Sequence, residues 1–313
     1  MQAPRAFAGV AIAVAILTPT VAAAGTPLEL KDWGGLAAVA ISLIALVATQ
    51  ITIRSKTQRE KREELKESIE KLLDLRTEFT DKAPTIADDR AREFFASTLN
   101  TRKSIYLEWA ERLAADLPYV TPAEWIVLGF EHMNDSNFQH AEKIFLNAVK
   151  AARQSSTITR STASRNLAWA RMMLGPARWP QARKGYEDIV KSLGAHTDPY
   201  SAYTTALTYR TWAEAEFGMG NRAECRARLG DALKACQMMP DAFNYKGFEV
   251  RACVGDLMTL AESFLMTADR DATGDCLNAA VDALTAYSDE GAQSLCATVV
   301  ARRAQLGLQP KPA

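Results

Sequence analysis

Three histidines, five cysteines and the adjacent aspartates Asp88-Asp89 are the residues of this 313-residue sequence whose chemistry would be asked about first. His132 and His140 stand on either side of a run of turn formers, Asn134-Asp135-Ser136-Asn137, and not one helical turn apart as the HExxH pattern of a metalloprotease requires. His132 and His196 have no evident partner in the sequence. Cys225, Cys236, Cys253, Cys276 and Cys296 lie far apart and form no CxxC pair, so they read as small buried apolar residues with reduced thiols, not as zinc ligands or a redox couple. Asp88-Asp89 read as helix-start residues. There is no Walker loop, no GxSxG elbow and no dinucleotide fingerprint; the nearest approach, GMGNRA, sits in a turn and not after a strand. The expectation is therefore no catalytic residue, no cofactor, no metal ligand and no enzyme activity.

Composition narrows the class further. Thirty-seven basic residues balance thirty-seven acidic ones, so no global positive field argues for nucleic acid, and none is expected as a partner. With 48% hydrophobic residues the chain can bury a sizeable core.

The elements that must carry any site begin with two apolar segments. Residues 1–25 have one early charge, Arg5, then an Ala/Val/Ile-rich run and Ala22-Ala23-Ala24 before Gly25, the pattern of a signal peptide or of a first membrane segment. A second run within 33–53 has no charge from Leu36 to Ile53, follows Trp33, and reads as a transmembrane helix. Arg54, Lys56, Arg59, Lys61 and Arg62 follow it, against only Lys31 before it, which places the C-terminal domain in the cytoplasm, at what would be a bacterial inner membrane. Residues 54–82 form a juxtamembrane helix with Leu65, Ile69, Leu72 and Phe79 on one face. Residues 83–120 form a helical segment that packs on the next domain, with Phe94, Phe95, Leu99, Tyr106, Trp109 and Leu113 available for burial, and Pro118 at its end.

Thr121-Pro122 then opens a helix with a capping residue and a proline in the first turn. Trp125, Leu128, Gly129 and His132 follow at helical spacing, and a second helix carries Phe138, Ala141, Phe145 and Ala148 along one stripe. Small residues alternating with large ones allow two antiparallel helices to interlock. This pattern resembles the tetratricopeptide repeat, W-x2-L-G-x2-Y followed by A-x3-F and a further alanine; Trp125, Leu128, Gly129, Ala141, Phe145 and Ala148 match in register, while His132 replaces the tyrosine and the final proline is absent. Weaker copies follow with Trp169-Ala170, Ala182, Tyr186 and Ile189, and with Trp212-Ala213, Cys225, Leu229 and Ala232. Residues 121–240 are thus expected to hold repeats of this type, 241–308 a degenerate repeat through Cys276, Ala280 and Ala283 with its turn at Asp269 to Asp275, then a capping helix, and 309–313 a tail.

The fold class expected is all-α, a right-handed α-solenoid of helix hairpins preceded by a transmembrane helix and a helical stalk. The resemblance implies a binding module: the first helix of each repeat would line a concave groove for a protein or peptide partner, through Ile126, Phe130 and Met133, then Leu167, Arg171 and Leu174, then Arg210, Glu214 and Phe217. An apolar floor with two arginines suits aliphatic side chains and carboxylates. The function that follows is a membrane-tethered adaptor or scaffold. The alternative is a structural subunit that self-associates, as a homodimer or larger assembly, through its membrane or juxtamembrane helix.

Overall fold

A computed structural model describes residues 30–287 and 289–308, with side chains from 55 onward except that of residue 290. Every regular element among the described residues is helical, and the chain divides into two compact units at residues 67 and 68. The first helix, α1, runs unbroken from Leu30 to Lys82 over 53 residues. No proline interrupts that stretch and Pro84 follows it, so the expected boundary between a membrane helix ending at 53 and a juxtamembrane helix beginning at 54 is not a helix boundary. Among the described residues no helix is long and apolar enough to cross a membrane. The run expected to do so, 33–53, has side chains outside the described residues, as do the segment 1–25 and the tail 309–313.

Ten further α-helices follow among the described residues: α2 (Asp89–Asp116), α3 (Pro122–Asn134), α4 (Phe138–Ala151), α5 (Thr157–Met173), α6 (Trp179–Leu193), α7 (Pro199–Gly218), α8 (Arg222–Gln237), α9 (Lys246–Leu265), α10 (Arg270–Thr285) and α11 (Glu290–Gln305). Their starts are written in side chains that accept otherwise orphaned backbone N–H groups. Thr121 and Glu124 form a reciprocal capping box at α3, the hydroxyl accepting from the Glu124 N–H at 3.3 Å and the carboxylate from the Thr121 N–H at 2.8 Å. Asp88, Ser156, Asp198 and Asp269 cap α2, α5, α7 and α10 by the one-way bond alone, each side chain accepting the N–H three residues on, of Ala91, Thr159, Ser201 and Ala272.

Consecutive helices pair as hairpins, α3 with α4, α5 with α6, α7 with α8 and α9 with α10, and each hairpin packs on the next. The second helices contribute equivalent buried triads: Ala141, Phe145 and Ala148; Ala182, Tyr186 and Ile189; Cys225, Leu229 and Ala232; and Thr273, Leu277 and Ala280. The last triad lies three positions ahead of the expected Cys276, Ala280 and Ala283, because α10 begins at Arg270 and the turn closes at Asp269. Gly129 is needed in the first hairpin, since a Cβ there would fall 2.3 Å from the Phe145 ring.

In α2 the buried stripe is Leu99, Leu107, Ala110, Leu113 and Ala114. Phe94 and Trp109, expected to be buried, are 75% and 46% exposed, because they fall on other faces of the helix than that stripe. The last described helix, α11, contacts the preceding hairpin through two arginines. Arg302 donates to both Glu262 oxygens at 2.9 and 3.0 Å, and Arg303 donates to Asn278 at 2.9 Å.

Three hairpin turns share one backbone design. The N–H groups of Asn137, Asn221 and Asp269 bond the carbonyls of His132, Glu216 and Phe264, and those of Ser136, Gly220 and Ala268 bond Met133, Phe217 and Leu265. The residue in the left-handed region is Ser136 at φ 57°, Gly220 at 79° and Ala268 at 59°, and only the glycine takes that conformation without strain. Gly220→Ala is expected to lower the unfolding free energy by about 1 kcal/mol, and Ala268→Gly to raise it by roughly 0.5 kcal/mol once the chain entropy of glycine is counted. Urea unfolding followed by circular dichroism measures both, and effects of the same sign would remove this account of the turns.

Candidate functional site

The nine residues expected to line a groove are distributed between packing and internal ion pairs. Phe130 meets the Phe145 and Trp169 rings edge-on, with centroids 5.8 and 6.1 Å away. Met133 and Leu167 are buried in the same cluster. Ile126 covers Ala148, Ala152 and Ala163, Phe217 covers the core shared by the last two hairpins, and Leu174 is half-buried at the end of α5. The guanidinium of Arg171 donates to Glu142 at 2.9 Å. That of Arg210 donates to Glu249 and Glu214, both at 2.8 Å, and faces Asp256 at 3.6 Å.

Arg210 therefore joins two first helices, α7 and α9, through a carboxylate, Glu249, that has no solvent exposure. Burial pushes Glu249, Glu214 and Asp256 above the usual carboxylate range although Arg210 opposes it, and the three acids together raise the Arg210 pKa. A further charge on α5, Arg165, was not among the expected groove residues. It is 8% exposed, its Nη1 has no hydrogen-bond partner, and no ion pair holds it among the described residues. Burial lowers its pKa, while Tyr186, Tyr203 and Glu249 act in the other direction. The signal in the sequence was a charged residue between Ala163 and Asn166-Leu167, inside the buried stripe of α5.

Two hairpins are joined by a second buried acid. Glu216 of α7 is fully buried and accepts both arms of the Arg183 guanidinium from α6 at 2.7 Å each, the Trp212 indole N–H at 2.9 Å and the Asn221 amide at 2.7 Å. Burial alone would raise its pKa, and those three donors more than reverse the effect, leaving it below the ordinary range. Around it the Tyr186 ring stacks on Trp212 with centroids 5.4 Å apart, and the Arg228 guanidinium lies 4.1 Å above Trp212.

The first hairpin carries a different cluster at the matching place. The turn that separates His132 from His140 in sequence folds their rings together, with centroids 4.2 Å apart. Both Nε2 atoms reach one carboxylate on α2. His132 meets Glu111 Oε1, and His140 meets Oε2 at 2.9 Å. His132 is almost covered, whereas His140 remains about a third exposed. Burial raises and the two imidazoles lower the Glu111 pKa, and the lowering wins. The sequence hid this constellation because its acid lies on a helix upstream of the hairpin. His196 is exposed on the loop between α6 and α7.

Cys225, Cys236, Cys253 and Cys276 are buried and free, and Cys296 is half-buried and free. Burial pushes the Cys225 thiol up to about 12 and that of Cys276 to about 11, so burial favours the neutral thiol over the thiolate at both. The described residues thus define an all-α protein of successive helical hairpins. No protein-family model and no curated protein matches the sequence. Among solved structures it is similar to the crystal structure of BtubC (BKLC) from P. vanneervenii, at 12% identity over 81% of this chain and 95% of that one, with a TM-score of 0.42. A likeness at that level carries no argument about fold or function.

The Glu216 linkage has a definite sign. A carboxylate whose folded pKa is depressed contributes stability that is complete above its unfolded pKa, near 4.5, and is lost as pH falls through the folded value. Glu216→Gln is expected to cost about 2–3 kcal/mol at neutral pH, since it leaves Arg183 and its neighbours with a neutral partner. The difference from wild type should shrink as the pH drops below the carboxylate range. Chemical denaturation across a pH series measures it, and a difference independent of pH would remove the charged node.

Proposed function

We propose that the protein is a membrane-tethered helical-repeat adaptor that captures an acidic peptide segment on the face formed by the first helices of its hairpins. Arg165 is the observation that carries this reading. A buried guanidinium that no ion pair contacts, with Glu249 and Glu214 acting on it only at longer range, is costly, and a partner carboxylate brought to the edge of this face beside Arg210 and Tyr203 would offset that cost. Arg171 and Arg210, held by Glu142 and Glu249, serve as part of the scaffold around it. The hairpin triads, the capping box and the Gly129 contact with Phe145 support the resemblance to tetratricopeptide repeats, and with it an α-solenoid of right-handed coil. The charge-free run from Leu36 to Ile53 with its basic flank supports a membrane anchor with the repeats on the cytoplasmic side. Tethering then works through effective concentration and not bond chemistry.

A second reading is favoured by exposed apolar residues, Leu73 and Phe79 on α1 and Phe94, Ile105 and Trp109 on α2, which are 44–75% exposed. They would suit self-association of this chain into a structural assembly.

A photo-cross-linking residue at Tyr203 in the membrane-bound full chain is expected to trap a partner in wild type and to lose it in Arg165→Gln, with helicity unchanged. Equal trapping in both would exclude Arg165 from the contact; copies of this chain trapped from Trp109 but nothing from Tyr203 would favour assembly. Reporter fusions after Ala313 should fluoresce and lack alkaline phosphatase activity, and the opposite result would overturn the cytoplasmic orientation.

A further inference from the structure

We infer that Glu111, His132 and His140 form a binding site for a single divalent transition-metal ion, zinc above all. Their donor atoms all lie within 4.8 Å of one another, two imidazole nitrogens and one carboxylate oxygen converging from three helices. Two imidazoles with one carboxylate is the donor set of zinc, cobalt and nickel, and a poor one for magnesium or calcium, which take oxygen ligands. Three protein ligands leave a fourth tetrahedral position for water, and the exposed edge of His140 faces solvent, which gives the ion a way in.

The surroundings fix the ligands before any ion arrives. His132 sits in the last turn of α3 and His140 in the first turn of α4, and the bond from the Asn137 N–H to the His132 carbonyl, with Ser136 in the left-handed region, holds the two ends of the turn together. The Asn137 side chain caps α4 by accepting from the His140 N–H at 3.4 Å. Glu111 comes from a separate helix that also reaches this hairpin through Lys103, which bonds Asp135 and lies 4.0 Å from Glu131. Lys103 thereby occupies those two acids, leaving Glu111 as the carboxylate directed at the histidines. The protein carries no other group of three such ligands among the described residues. In the absence of an ion the two imidazole N–H groups donate to the Glu111 oxygens; a metal ion would take both Nε2 lone pairs and a Glu111 oxygen in their place, each neutral ring then carrying its single proton on Nδ1 and any second proton leaving to solvent. Its effect is to lock α2 onto the α3–α4 hairpin, a structural role for which no substrate is needed.

The full chain, purified in detergent and freed of metal by chelator, is titrated with zinc by calorimetry and with cobalt by visible absorption. One equivalent of zinc per chain, with a raised melting temperature, and cobalt d–d bands of a four- or five-coordinate ion are expected. His140→Ala, at the most exposed of the three ligands, should weaken zinc binding by at least ~100-fold, because loss of even an outer-sphere partner costs about 10–100-fold; His132→Gln gives a second, independent loss. No binding by wild type, unchanged affinity in either folded variant, or a thiolate-to-cobalt charge-transfer band placing the ion on cysteine would each overturn the site.

Discussion

A carboxylate sealed from water, Glu216, sets how one helical hairpin meets the next. An ionised acid in that position is tolerable only if the protein replaces its hydration shell, and the donors come from the preceding hairpin through Arg183, from its own helix through Trp212 and from its own turn through Asn221. The geometry is demanding, because the fork of a guanidinium donates to both oxygens of a carboxylate in one plane only. Sliding α7 by one turn against α6 would separate both arms at once. A slide of that size, about 5.4 Å, would also part the stacked Tyr186 and Trp212 rings, so the polar node and the rings hold the same register.

The same place in other hairpins is filled by different chemistry. His132 stands one turn after Leu128 as Glu216 stands one turn after Trp212, and it too reaches back to the preceding helix, there to Glu111. In the fourth hairpin Phe264 holds the equivalent place and receives the Arg222 guanidinium, 5.9 Å from its ring centre. A chain of successive hairpins has one recurrent problem, the seam between units, and this one meets it with an ion pair, a histidine pair on one acid and a cation over a ring.

Much of the architecture was legible in residue spacing. Thr121-Pro122, the interlocking Gly129 and Phe145, and the triads of the first three hairpins follow from local rules of capping and packing, and they fall where those rules place them. In the fourth hairpin Cys276 and Ala280 are buried and Ala283 packs on the core as expected, but the turn ends at Asp269 and not at Asp275, and the positions equivalent to the other triads, Thr273 and Leu277, lack the alanine and aromatic types that anchor the pattern. Phe94 and Trp109 were misassigned for another reason: hydrophobicity alone does not say which face of a helix has a neighbour. The polar clusters were the least legible. Glu111 with His132, Arg183 with Glu216 and Arg210 with Glu249 are each distant in sequence, and no local period encodes a contact between helices of different hairpins.

The hairpin-by-hairpin construction also bears on how the chain acquires its structure. Because almost every helix packs against a neighbour in sequence, native contacts close short loops, and the entropy lost before the first favourable contact is small. A chain of this kind has no single long-range event on which folding must wait. Order can start in the middle hairpins, where Glu216 and Arg210 tie α6, α7 and α9 together, and spread outward. Opening should run in the opposite direction, with α2 and α11 fraying first and the backbone amides around Trp212 the last to exchange with solvent.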